Sequence, residues 1–243
     1  MAGHNGCVHR PRVVLVPGFT QTAASWAAAA DVVRESCLVR MLDVPPPRSF
    51  GATAAAIGDA GGPAVYVGYS MGGRLCLRLA LDRPDVVQAL VLVSASPGIV
   101  DAAERAARAE ADELLAESVE RDGVATFLAS WLAQPMFESV PPDAPGVADR
   151  RRLTPEFLAA CLRRLGPGAM DPMWKDVSTL TMPVLLVTGT RDEKYTAIAR
   201  RMLERMNPAA AHVRLDGGHA LPLEQPAVLG GLITAFAAEH GAS

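Results

Sequence analysis

The segment Gly68-Tyr69-Ser70-Met71-Gly72-Gly73 directly follows the apolar, β-branched run Ala64-Val65-Tyr66-Val67. It demands a strand, a very tight turn and a helix in immediate succession. Gly68 and Gly72 lack a Cβ, so strand and helix can approach closely on either side of Ser70. A serine at such a junction reads as a nucleophile elbow, its hydroxyl lifted clear of the sheet and the backbone N–H of Met71 facing the same space. The plainer reading is a glycine-rich turn with an ordinary serine. The strand before Ser70 and the helix expected after it, Met71 to Asp82, favour the elbow.

Strand-like and helical runs alternate around this junction. Strands are expected at Arg12–Val16, Cys37–Met41, Ala64–Val67, Ala89–Val93, Val184–Val187 and His212–Leu215. Helices are expected at Ser25–Glu35, Thr53–Ala60, Met71–Asp82, Thr196–Met206 and Ala227–Glu239. Continuously apolar strands separated by helices imply an α/β protein whose sheet is mostly parallel and covered on both faces.

The rhythm breaks between Ile99 and Lys175, where no convincing strand is found. Helices are expected over Asp101–Arg121, with Leu114, Leu115 and Val119 as apolar stripe, and over Val124–Leu132 and Thr154–Arg164. The Pro- and Asp-rich stretch Val140–Asp149 separates the last two. The chain thus divides into a core, residues 1–98 and 176–243, and a helical insertion, residues 99–175, forming one structural unit with it. Such an insertion reads as a lid. A separate bundle fits less well, because the segment is short and both its ends return to one sheet.

The bulk numbers narrow the function classes. At 243 residues, 50% of them hydrophobic, the chain can bury the core of one sizeable domain with a small insertion. No apolar stretch approaches the ~20 residues needed to span a bilayer. Met1–Pro11 carries His4, His9 and Arg10, with no following segment of signal-peptide length, so a cytoplasmic protein is expected. With 23 basic against 26 acidic side chains, nothing points to nucleic acid or a membrane surface. Cys7, Cys37, Cys76 and Cys161 are scattered, which suggests neither a disulfide framework nor a zinc site; Cys76 reads as a small buried hydrophobe. A monomer or weak homo-oligomer is the expectation.

A serine hydroxyl is a poor nucleophile or base until an imidazole takes its proton, and the imidazole needs an acceptor to fix its tautomer. Asp192 follows the Val184–Val187 strand through Thr188-Gly189-Thr190-Arg191, and His219 follows His212–Leu215 through Asp216-Gly217-Gly218. Both therefore sit just past the carboxyl end of a strand, the edge where open α/β sheets bind ligands. The order Ser70, Asp192, His219 is that of an elbow enzyme. Asp216 and Glu193 are the rival acids, and His212, inside a strand, reads as structural. An oxyanion hole needs a second N–H besides that of Met71. The loop Pro17-Gly18-Phe19-Thr20-Gln21 leaves the first strand at the same edge, and Phe19 is the expected donor.

With these residues in place the chain resembles the α/β-hydrolase superfamily, and within it the MenH family of 2-succinyl-6-hydroxy-2,4-cyclohexadiene-1-carboxylate synthases. The narrower likeness rests on the elbow through Arg74, on Ser94-Ala95-Ser96-Pro97-Gly98 leading to Glu104–Arg108 and Asp112, and on Trp131–Phe137. Gly189–Tyr195, with Gly218-His219-Ala220 and Leu223-Glu224-Gln225-Pro226, completes it. The resemblance implies an elimination: Ser70, activated by His219 and Asp192, acts as base, pyruvate leaves a cyclohexene carboxylate, and the ring becomes a diene. It implies a small polycarboxylate substrate and no metal or organic cofactor.

Such a substrate calls for arginines, whose planar forks bind carboxylates in bidentate fashion. Arg74 lies one helical turn beyond Ser70 and hence on the same face. Arg108, on the first insertion helix, and Arg152, beside Arg150 and Arg151, are the other expected clamps. Tyr69 and Trp131 are expected to line the pocket, and Trp174 to pack. The family usually has His-Gly before the oxyanion residue where this chain has Pro17-Gly18. Pro17 lacks an N–H, but the expected donor is Phe19, so the hole should survive. A serine esterase or other acyl hydrolase of the same fold is the competing reading. A non-catalytic binding protein on this fold would typically lack a triad residue, and none is missing.

Overall fold

The computed structural model describes residues 10–141, 143, 144 and 146–241. His4, Cys7 and His9 lie outside the described residues. Six strands form a single parallel sheet: β1 (Arg12–Val16), β2 (Leu38–Met41), β3 (Ala64–Tyr69), β4 (Val87–Val93), β5 (Val184–Gly189) and β6 (Ala211–Leu215). Their spatial order is β2-β1-β3-β4-β5-β6. After β1 the chain goes to one side to form β2, then crosses back to lay β3 on the other flank. The crevice at this reversal, past the carboxyl ends of the strands, is where such sheets accept ligands.

Both faces of each central strand are apolar, and the pleat sorts them. Val14 and Val16 join Tyr66, Leu90, Leu92, Val184 and Leu186 beneath α2 (Phe50–Gly61), α3 (Met71–Asp82) and α6 (Glu193–Leu203). Val13 and Leu15 join Val65, Val67, Val91 and Val187 on the opposite face, under α1 (Ala27–Arg34) and α8 (Pro226–His240). Successive residues point to opposite faces, so a strand apolar throughout must be buried twice. Each fully buried Val, Leu or Ile contributes roughly 1.5–3 kcal/mol.

Capping moves several helix starts away from the positions expected from periodicity. The Ser49 hydroxyl accepts from the Ala52 N–H at 3.3 Å, so α2 begins at Phe50 rather than Thr53. Asp192 occupies the equivalent place before α6, accepting from Tyr195 N–H at 3.5 Å, so that helix begins at Glu193 rather than Thr196. A short helix, α7 (Leu221–Glu224), precedes α8.

Among the described residues no strand lies between β4 and β5. The two helices expected over 101–132 are both present and run on from each other as α4 (Ala102–Leu132), interrupted at Gly123, whose φ of 79° no β-carbon residue adopts readily. Asp101 caps it, accepting from Glu104 N–H at 2.8 Å. Its buried residues Ala116, Val119 and Phe127 pack on Leu158, Ala159 and Leu162 of α5 (Pro155–Leu165). Leu114 is not in that stripe: it is 62% exposed, on the outer face. No helix among the described residues is long and apolar enough to cross a membrane.

Candidate active site

Register brings the two halves of the site together first. Val16 of β1 pairs with Gly68 of β3, so the loops after both strands emerge side by side. Ser70 takes φ 49° and ψ −107°, a left-handed conformation costly for a residue with a β-carbon. Its own N–H donates to Val93 O at 2.9 Å, which holds the elbow to β4. A Cβ on Gly68 would stand 2.5 Å from Gly72 O, and one on Gly72 only 2.4 Å from the carbonyls of Val16 and Pro17. The turn exists because both positions are bare.

β5 and β6 deliver the partners. Gly189 pairs with Leu215, and a Cβ on Gly189 would stand 2.0 Å from Gly218 O, so the loops carrying Asp192 and His219 are in direct contact. Arg191 N–H donates to Gly217 O at 2.9 Å. His219 Nδ1 lies 2.8 Å from Asp192 Oδ2, and His219 Nε2 lies 3.3 Å from Ser70 Oγ. His219 is buried. The rings of Tyr195, Tyr69 and Phe137 surround it at 4.5, 5.4 and 6.3 Å between centroids. The rival acids stand apart: Asp216 pairs with Arg191 at the surface, at 2.8 Å, and Glu193 is exposed. His212 bonds Thr188 Oγ1 at 2.8 Å and touches none of Ser70, Asp192 and His219 through a hydrogen bond.

Neither the Phe19 nor the Met71 N–H has a hydrogen-bond acceptor among the described residues. The Phe19 loop is a tight turn, with Gln21 N–H donating to Gly18 O at 3.2 Å and Thr20 at φ 63°. Gly18 is pressed on the Tyr69 ring, where a Cβ would come within 2.7 Å. Pro17 sets its carbonyl oxygen against Gly72, where a Cβ would stand 2.4 Å away.

Above Ser70 opens a cavity of about 630 Å³, reached by Phe19, Met71, Asp192, His219, Tyr69 and Trp131. Arg74 and Arg108 line it as well. Arg74 is 7% exposed, and burial pulls its guanidinium down to about 10. Its Nη1 donates to Leu165 O at 2.7 Å, and no carboxylate among the described residues pairs with it. Arg108 is partly exposed and held by Asp112, Nε to Oδ1 at 2.9 Å. Asp112 is itself buried, and that burial raises its carboxyl above the usual carboxylate range despite Arg108. Arg108 is therefore directly ion-paired, whereas Arg74 feels Asp112 only at longer range.

The expectation for Arg152 is overturned. Its side chain is 80% exposed, paired with Asp149 at 3.1 Å, and does not reach the cavity. Its neighbour Arg150 is the buried one, donating Nη1 to Thr20 Oγ1 at 2.9 Å, with Nε and Nη2 unbonded. Both sit on the 3-10 turn Ala148–Arg152, where residues two apart point in different directions. Trp131 packs edge-on to Phe19 at 5.0 Å and stacks on Phe127 at 5.9 Å, its Nε1–H buried without an acceptor. Trp174 stays out of the cavity, donating to Gly98 O at 2.8 Å under the Arg201 guanidinium at 4.2 Å. Tyr195, unassigned from sequence, was findable: it is three residues past Asp192, in the first turn of a helix.

A sequence model of the alpha/beta hydrolase family matches residues 13–230. A Bacillus subtilis (strain 168) protein, provisionally named 2-succinyl-6-hydroxy-2,4-cyclohexadiene-1-carboxylate synthase, is 30% identical over 244 residues, covering 92% of this chain and 89% of its own. The synthase of that name from Klebsiella pneumoniae (strain 342) is 30% identical over 167 residues, 67% of this chain and 64% of its own. Among solved structures, MenH from S. aureus shares the fold with a TM-score of 0.87 at 23% identity, covering 96% of this chain and 95% of that one. The chain belongs to the alpha/beta-hydrolase family, and its relatives there include synthases of the MenH type.

Proposed function

We propose that the chain is a MenH-type lyase, eliminating pyruvate from 2-succinyl-5-enolpyruvyl-6-hydroxy-3-cyclohexene-1-carboxylate (SEPHCHC). The observation that carries this reading is Arg74: a buried guanidinium without a carboxylate partner, in the same cavity as Ser70. A buried charge is costly unless paired, and an anionic ligand supplies the missing partner. The names of the sequence relatives supply the particular anion.

In this scheme Ser70 accepts the ring proton α to the succinyl carbonyl as His219 takes the hydroxyl proton, and Asp192 holds the imidazole in the required tautomer. The Phe19 and Met71 N–H groups donate to the carbonyl oxygen as it gains charge. Removing one such donor costs ~3 kcal/mol in comparable sites. The electron pair moves through the ring and expels the enolpyruvyl oxygen, which ends as pyruvate once its carbon is protonated. The ring gains its second double bond. Arg74 and Arg108 bind carboxylates, Tyr69 and Trp131 line the apolar part, and residues 99–175 act as a lid over the core formed by 1–98 and 176–243. Every step uses side chains and peptide N–H groups, so the scheme calls for no metal or redox cofactor. A free, charged metabolite as substrate favours a cytoplasmic enzyme.

The second reading is a serine ester hydrolase, favoured by the same relay and by the apolar walls of the cavity. One experiment separates them. The purified protein is given SEPHCHC while diene absorbance and pyruvate are followed, and a nitrophenyl ester in parallel. Equimolar diene and pyruvate are expected. Brisk ester turnover with neither product refutes the lyase.

A further inference from the structure

Glu224 ends α7, in the Leu223-Glu224-Gln225-Pro226 segment that the scheme above leaves without a role. Its side chain is 3% exposed, and its cationic neighbour Arg191 stands off at 3.6 Å. The carboxylate is engaged elsewhere. Oε1 accepts from the Ala220 N–H at 2.8 Å, and Oε2 accepts from the Gly218 N–H at 2.6 Å and from the Ser139 hydroxyl at 2.6 Å. A single planar group thus grips the N–H of the residue before and of the residue after His219. Through Ser139 it also grips the segment just after the turn Pro135–Phe137, whose Phe137 ring faces the imidazole.

We propose that Glu224 is a positioning residue for His219: it fixes the backbone from which the imidazole projects, and ties that backbone to the helical insertion through Ser139. Glu224 does not line the cavity, so it acts through His219 and not on a ligand. Holding the Ala220 N–H orients the peptide plane that follows residue 219, and holding the Gly218 N–H pins the chain one peptide before it, so the backbone that carries the Cα–Cβ bond of His219 is anchored from both ends. Hydrogen bonds to an ionised acceptor are short and roughly twice as strong as neutral ones, which suits a loop that must not drift. The opposite flank is held by Gly189 packed on the Gly217 and Gly218 carbonyls. Without Glu224 the loop is held from one side only, and the 3.3 Å approach of Nε2 to Ser70 is the contact that suffers.

The inference rests on the relay proposed above, and its test reads the relay without the natural substrate. A fluorophosphonate is attacked at phosphorus by Ser70 Oγ, fluoride leaves, and His219 takes the hydroxyl proton, so the rate of labelling measures how well the pair is aligned. Glu224→Gln keeps the shape and one acceptor oxygen. It is expected to slow labelling ~10–100-fold, since an error of about 1 Å in a reacting pair costs that much. The KM for the anionic substrate is expected to stay within about twofold while kcat falls, the signature of lost alignment and not of lost binding. Ser139→Ala, which leaves both peptide bonds intact, is expected to slow labelling about threefold, the worth of one modest hydrogen bond.

A Glu224→Gln protein that melts lower but labels as fast as wild type overturns the inference, for that is what a purely structural carboxylate would do. If that variant does not accumulate folded, Ser139→Ala decides by the same assay, an unchanged rate refuting. A wild-type protein that is not labelled at Ser70 overturns the relay and the inference together, whereas a labelled wild type with an equally fast variant overturns the inference alone.

Discussion

Ser70, Asp192 and His219 stand at the ends of β3, β5 and β6, whereas Arg108, Arg150 and Arg152 stand on the insertion between β4 and β5. At the strand ends, position is imposed by backbone. Ser70 is forced into a left-handed turn between two glycines that admit no Cβ, and the acid and base loops touch through Gly189. In the insertion, three arginines meet three fates. Arg108 is paired with a buried carboxylate, Arg150 is enclosed with two nitrogens unbonded, and Arg152 lies in solvent. The lesson is that strand ends inherit their geometry from the sheet, while helical cover inherits its geometry from how it docks.

The largest effect should come from the rigid half. If the proposed relay operates, Ser70→Ala is expected to lower kcat/KM by about 10⁴-fold or more, since the scheme without its hydroxyl retains only binding and the two proposed N–H donors. Its thermal stability should stay within ~1 kcal/mol of wild type, because the side chain is small and the residue is already in its strained turn. Steady-state kinetics and a melting curve read both. A fully active alanine variant would remove the strand-end half of the comparison altogether.

Arg74 belongs to neither half cleanly, being one helical turn from Ser70 yet bonded to Leu165 at the end of α5. Arg74→Met replaces a buried charge that has no direct ion pair by an apolar side chain of similar length, a change often neutral or stabilising. Turnover of the anionic substrate should nevertheless fall about 100-fold in kcat/KM, as expected when a carboxylate loses a bidentate partner. A neutral nitrophenyl ester should lose less than about threefold. Equal losses on both substrates would mean that Arg74 is scaffolding, and the case for a polyanionic ligand would weaken with it.

Arg150 and Arg152 test the docking half directly. Arg150→Met removes the bond to Thr20 in the turn that carries Phe19, and is expected to reduce kcat/KM about tenfold. Arg152→Met removes a surface pair with Asp149 and should change activity by less than about twofold and stability by less than ~0.5 kcal/mol. The reverse ranking would restore the clamp role expected for Arg152 and displace Arg150 from the oxyanion loop.

The same contrast explains what the sequence disclosed. Apolar strands, the glycines at 68 and 72, and a histidine after two glycines are local signals with one structural solution each, and the sheet delivers them side by side. Helix starts at Phe50 and Glu193 were displaced by side-chain caps, which hydrophobic periodicity does not register. Of the stripe Leu114, Leu115 and Val119, the seat on α5 takes Leu115 and Val119 inward with Ala116, while Leu114 fits by spacing but faces out. Within Arg150-Arg151-Arg152 nothing in the triplet says which guanidinium turns inward. The answer comes from Thr20, which lies 130 residues away.

The smallest predicted effect concerns the platform under Asp192. Thr188 Oγ1 lies 2.8 Å from His212 Nε2 and 3.0 Å from Thr196 Oγ1, in the first turns of the helix that Asp192 begins. Burial, reinforced by Arg200 and Arg214, pushes the His212 imidazole below its ordinary 6.5. The unfolded chain therefore takes up a proton near pH 6.5 that the folded chain still refuses, and stability must fall as pH drops from there to the folded value. Above pH 6.5 both forms are neutral and the contribution is complete. His212→Gln should accordingly flatten the decline of Tm between about pH 7 and 5 while leaving kcat/KM at pH 8 unchanged, because the acid's position is set by Gly189 and the helix start rather than by this ring. Parallel Tm profiles for variant and wild type would show that His212 titrates alike in both states. A loss of activity at pH 8 would show instead that the strand-end half leans on its second layer of side chains, and the contrast with the insertion would narrow to one of degree.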